Sequence, residues 1–86
     1  SMPAMAKAAA TANDHSDARG VIKSIDRTSG EVKLKLGPIK RLDMPGMTMV
    51  FRVKDPALLE QVSKGDTVGF TLDVEGSTFY VTGFQK

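Results

Sequence analysis

The sequence predicts an all-β fold, a small five-stranded β-barrel with one short helix, preceded by a flexible N-terminal tail. Three observations predict it. Beyond residue 16, apolar residues recur with the two-residue period of strands in one segment after another. Those segments are separated by Gly, Pro, Asp and Ser clusters, which supply turn chemistry. Five short strands in a chain of 86 residues cannot hide their edges in an open sheet, so closure is the economical solution.

Residues 1–16 (SMPAMAKAAATANDHS) read as a disordered tail or linker, with Ser1-Met2 a cloning remnant. Ala favours helix, but a short helix with nothing to pack on is unstable in water. Residues 17–86 form the barrel domain. Residues 20–25 (GVIKSI) are a strand, and residues 26–30 (DRTSG) a turn. Residues 31–36 (EVKLKL) alternate apolar and charged, as a half-buried strand does, so the first two strands make a hairpin. Gly37-Pro38 breaks the second strand, and Pro45-Gly46 is a further turn signal. Residues 47–53 (MTMVFRV) alternate again, with Met47, Met49, Phe51 and Val53 on one face.

Asp55 caps a short helix with Pro56 at its first position, running to Val62. Residues 67–74 and 77–84 form a last hairpin around Glu75-Gly76. A helix between the third and fourth of five strands is the arrangement of an OB-fold. Gly20, Gly69 and Gly83 fall inside strand patterns and mark bulges or bends. Phe51, Phe70, Phe79 and Phe84 read as core, and Tyr80, alternating away from Phe79, as exposed.

Composition narrows the function. Hydrophobic residues make up 41% of the chain and charged residues 26%, which are globular values. There is no Cys, so neither a disulfide nor a thiolate zinc site is available, which fits an oxidising compartment without requiring one. The net charge of +2 does not by itself imply nucleic acid. No apolar run approaches the roughly 18–20 residues of a membrane span. The N-terminus has no hydrophobic signal core, so the sequence reads as cytosolic or as a mature, excised form. No Ser/His/Asp or Cys/His arrangement, paired-carboxylate signature or Gly-rich phosphate loop suggests an enzyme.

The unusual feature is methionine. Of five Met residues, three fall at positions 44, 47 and 49. A thioether sulfur is soft and neutral, a good ligand for Cu(I) and Ag(I) and a poor one for Mg²⁺. It loses no proton on binding, so its affinity persists at acidic pH. Met47 and Met49 stand at i, i+2 on a strand and point the same way, and the Pro-Gly turn allows Met44 to fold back over them. The competing reading is that these Met residues fill gaps in the core beside Phe51 and Val53. Yet strand positions favour β-branched and aromatic residues, so Met-Thr-Met gains nothing in packing that Val or Ile would not supply.

Residues 20–26, Gly37-Pro38-Ile39, residues 44–51 (MPGMTMVF), Gly65-Asp66 and Val81-Thr82 together resemble the CusF-like periplasmic copper/silver-binding proteins of heavy-metal efflux systems. The similarity spans roughly residues 18–86, and Pro-x-Met-Thr-Met-x-Phe is its specific part. It implies an OB-type barrel in the periplasm that binds Cu(I) or Ag(I) as cargo. It also implies partners among efflux-pump components, a membrane-fusion protein or an inner-membrane transporter. The family includes free chaperones and C-terminal domains of SilB-type membrane-fusion proteins, and the Ala-rich tail suits an excised domain.

Met47 and Met49 match the family's two thioether positions. The family places a Trp over the metal where this chain has Met44, and a His where it has Leu36. The resemblance therefore implies Met44 as third ligand in an all-thioether site, binding more weakly than one with an imidazole.

His15, the only His, reads as exposed linker, or alternatively as a replacement imidazole folded back to the site. Lys33, Lys35, Lys40 and Arg41 read as a solvated outer face, or as a docking or phosphate-contacting surface. Asp43 is either a turn residue or a carboxylate that offsets the cargo's charge. Two rival functions stand beside metal transfer. One is an OB-fold module for single-stranded nucleic acid, against which speak the small charge and few aromatics. The other is a structural adaptor barrel that has lost the metal. The chain is expected to be monomeric, with no direct membrane insertion.

Overall fold

The structure, a computed structural model, describes residues 16–86, so the expected tail through His15 lies outside the described residues. Five strands follow in order: β1 Ala18–Asp26, β2 Glu31–Leu36, β3 Met47–Val53, β4 Thr67–Glu75 and β5 Thr78–Gln85. They close into a barrel in the order β1-β2-β3-β5-β4, with β4 returning to β1. All neighbours are antiparallel except β3 and β5, which pair in parallel through Arg52 with Tyr80 and Val53 with Val81. Closure leaves each strand a neighbour on both sides, although β3 and β5 meet only at those two residue pairs.

The hairpins form where local chemistry dictates. Asp26 Oδ1 accepts from the Thr28 and Ser29 N–H groups at 3.0 and 3.1 Å. Gly30 completes that turn at φ 72°, where a side chain would be strained. Beyond it Val32, Leu34 and Leu36 are buried while Lys33 and Lys35 are exposed, so the alternation in the sequence is the alternation in space. Phe51 and Phe70 fill the centre with ring centroids 5.7 Å apart. Phe79 and Phe84 are half-buried and pack against the edge of that core.

Three expectations are corrected in detail. The helix between β3 and β4 is a 3-10 helix, Pro56–Gln61, and a second, Lys40–Leu42, lies between β2 and β3. Asp55 does cap the longer one, its carboxylate accepting from the Ala57 N–H at 3.0 Å. Leu59 within it and Val62 just after it are buried in the core. Tyr80 is half-buried rather than exposed, because the Lys54 ammonium lies 4.5 Å over its ring while pairing with Glu75. The strand irregularities lie between Ile22 and Ser24, and between Thr71 and Leu72 where β5 carries Thr82 as an extra residue, next to Gly83. Gly20 instead permits close approach, since a Cβ there would meet the Lys35 carbonyl oxygen at 2.7 Å.

Three carboxylates lie below the ordinary value of 3.8. Asp17 is lowered first by its bond from Arg41, Asp26 by the Ser29 N–H, and Asp66 by the Ser63 N–H. A depressed folded-state pKa contributes stability above the unfolded value, which is lost as pH falls through the folded one. The thermal midpoint should therefore hold from pH 7 to about 5 and fall below about pH 4. A midpoint unchanged between pH 4 and 2.5 would contradict this.

Candidate metal centre

The centre is built at one end of the barrel, where β2 ends and β3 begins. In the β2–β3 ladder Leu36 stands opposite Met47, and Leu34 opposite Met49. Directly opposed residues on antiparallel strands have Cβ atoms about 4.5–5.5 Å apart, so each thioether neighbours a leucine. Along the inward face of β3, burial increases in one direction. Met47 is 41% exposed, Met49 is half-buried, and Phe51 is 1% exposed. The face that packs the core thus reaches solvent as two methionines.

Met44 arrives by a separate route. Ile39, fully buried, exchanges two main-chain hydrogen bonds with Met44: Ile39 N–H to Met44 O at 2.9 Å, and Met44 N–H to Ile39 O at 3.0 Å. Between them the first 3-10 helix turns the chain. Asp43 then reverses it in the left-handed region at φ 53°, donating its N–H to the Lys40 carbonyl at 3.0 Å. Asp43 therefore has a turn role, which short polar side chains fill at low cost.

Gly46 brings the chain back against β2, where a Cβ would lie 3.0 Å from the Leu36 carbonyl oxygen. The segment carrying Met44 is thereby held beside the end of β2, near the start of the Met47–Met49 stripe. Met44 itself is half-buried and packs against the core.

Leu36, at the position where the family resemblance places a His, is 4% exposed and belongs to the core. Its side chain offers no donor atom to a metal. Among the described residues no group of three or more His, Cys, Asp or Glu is placed to hold a metal ion. His15 lies outside the described residues.

One feature of this end was not legible in the sequence. Arg41 Nε donates to Asp17 Oδ1 at 2.8 Å, and Nη2 donates to Asp17 Oδ2 at 3.2 Å and to the Leu72 carbonyl at 3.0 Å. Asp17 Oδ2 also accepts from the Leu72 N–H at 2.7 Å. Arg41 is thus not simply part of a solvated basic face, whereas Lys33, Lys35 and Lys40 are exposed as expected. The pair lies 24 positions apart in sequence, beyond any local pattern.

Comparison with known proteins bears on the family and the fold. Residues 15–86 match the family model described as copper binding periplasmic protein CusF. The cation efflux system protein CusF of Escherichia coli K12 is 32% identical over 60 residues, covering 70% of this chain and 54% of that protein. The chain thus spans about half the length of the curated relatives it matches. Ag(I)-bound E. coli CusF superposes with a TM-score of 0.71 at 28% identity, covering 79% of this chain and 85% of that one. The metal-free form gives the same score and identity over 79% and 81%. A closed five-stranded barrel, a Met-Thr-Met strand entrance and a family match over all the described residues lead to one conclusion: this chain belongs to the CusF family of periplasmic copper-binding proteins.

Proposed function

We propose that this barrel binds Cu(I) or Ag(I) as cargo through the thioethers of Met44, Met47 and Met49, and passes the ion to a periplasmic heavy-metal efflux system. The observation that carries the reading is the inward face of β3. It ends at solvent in two thioethers, with a third methionine held alongside by the Ile39–Met44 bridge. Soft, neutral sulfurs favour a soft monovalent ion over Zn²⁺ or Mg²⁺. The silver-bound relative supports the choice of cargo, and the naming of its relatives as cation efflux proteins supports the route.

The exposure of Met47 suits transfer. A receiving site can reach a half-exposed thioether and exchange ligands one at a time. A site lacking both imidazole and thiolate holds its ion less tightly and releases it more readily. Acceptors of matching chemistry are methionine-bearing surfaces of a membrane-fusion subunit or an inner-membrane transporter.

Titration with Ag(I), followed through methionine methyl NMR signals, tests the proposal. One equivalent should shift the Met44, Met47 and Met49 methyls and leave Met2 and Met5 in place. The response should be the same at pH 7 and pH 5, because no ligand proton is displaced. Three unmoved methyls would end the metal reading. Movement of Met47 and Met49 without Met44, accompanied by His15 ring shifts, would replace the third ligand.

A further inference from the structure

We infer that Arg41 is a positioning residue for the metal site, acting through Met44; this rests on the reading of Met44 as a ligand. The connection between β2 and β3 has its weakest anchorage in the middle. Its 3-10 helix, Lys40–Leu42, has no buried residue and no side-chain cap. On the β2 side it is fixed by buried Ile39, and Leu42 packs partly against the core. The Ile39–Met44 bridge closes the connection on itself, and Arg41, three residues before Met44, adds an attachment to the strands beyond β2 and β3.

An exposed ion pair ordinarily contributes little, because its two long side chains lose entropy and water screens the charge. This pair differs in what it connects. The carboxylate of Asp17 is largely shielded, with its side chain 17% exposed, while Arg41 is 52% exposed. Asp17 continues β1 and donates its main-chain N–H to the Phe70 carbonyl of β4 at 2.8 Å. Its carboxylate takes the Leu72 N–H, and Arg41 takes the Leu72 carbonyl. The guanidinium therefore docks onto a preformed corner where β1 meets β4.

Two of its bonds run in parallel to one carboxylate, a geometry that fixes orientation as well as distance. A connection that otherwise follows β2 and β3 is thereby tied to the start of β1 and, through Leu72, to β4. The position of Met44 relative to Met47 and Met49 then depends on barrel closure. In metal sites, groups that orient a ligand without touching the metal typically carry about 10–100-fold in affinity.

Arg41→Ala is expected to weaken Ag(I) binding about tenfold, at the lower end of that range because Ile39 still holds one side of the connection. The Met44 methyl should lose most of its silver-induced shift, while Met47 and Met49 keep theirs. Arg41→Lys, which retains a single donor, should fall between the two. Since Arg41 acts through Met44, the double variant Arg41→Ala/Met44→Ile should bind no more weakly than Met44→Ile alone.

Additive losses in that cycle, or parent-like silver affinity in Arg41→Ala, would overturn the inference. Asp17→Asn provides a second route to the same break should Arg41→Ala fold poorly. Amide exchange of Met44 in the metal-free protein separates this inference from the site reading. It should accelerate in Arg41→Ala whether or not silver binds, and unchanged exchange would also count against the inference. A parent protein whose methyls ignore Ag(I) would instead remove the site itself.

Discussion

Replacing Met47 and Met49 together by isoleucine is expected to reduce Ag(I) affinity by at least about a hundredfold, the upper end of what a ligand-orienting change alone costs. Two of three soft donors disappear, and the residues across the ladder, Leu34 and Leu36, offer no donor in their place. The fold should survive. Met47 is too exposed to contribute much core packing, and Met49 lies only at the margin of the core. Isoleucine is a strong strand former of similar volume, so each change should cost under about 1.5 kcal/mol. Competition titration with Ag(I) measures the first effect and thermal unfolding the second. A variant that unfolds, or that binds silver as the parent does, contradicts the assignment of these residues as ligands rather than core.

Leu36→His should act in the opposite direction. Position 36 faces Met47 across the β2–β3 ladder, so an imidazole there stands beside the exposed thioether. Neutral imidazole is a good ligand for copper, and Ag(I) affinity at pH 7 is expected to rise at least about tenfold, the factor that one modest added interaction of about 1.4 kcal/mol supplies. Binding would also acquire a pH dependence that the parent lacks. The ring must be neutral to ligate, and its ordinary pKa is about 6.5. Affinity should therefore fall below about pH 6 towards the parent's value, while the parent stays flat.

The metal-free variant should be less stable, because Leu36 is 4% exposed and a polar ring placed there without a partner costs about 1–3 kcal/mol. Silver should recover that loss by binding only the folded form. Unfolding curves with and without Ag(I), at pH 7 and pH 5, display all three effects. A variant no tighter than the parent at pH 7 would mean that position 36 does not face the ion.

The alternation in residues 31–36 and 47–53 was enough to assign inner and outer faces, because a strand's side-chain period is fixed at two. The Met47–Met49 pair followed directly. The capped turn at Asp55-Pro56 was also legible, since capping is a local hydrogen bond. Its 3-10 form was not, because six residues held between a strand end and the core adopt whichever turn the packing permits. Tyr80 differs for a similar reason: alternation points it outward, but Lys54, distant in sequence, lies over its ring.

Strand periodicity is enough to read a small all-β domain and two thioethers sharing one face near a strand entrance. Those properties depend on residues within a few positions of one another. The tertiary structure decided what surrounds them. It set Leu36 opposite Met47, brought Met44 round through the Ile39 bridge, and fastened that connection to Asp17 and Leu72 through Arg41. The first two depend on ladder register, and the last on barrel closure, which joins residues 24 to 55 positions apart, where local period and propensity carry no information.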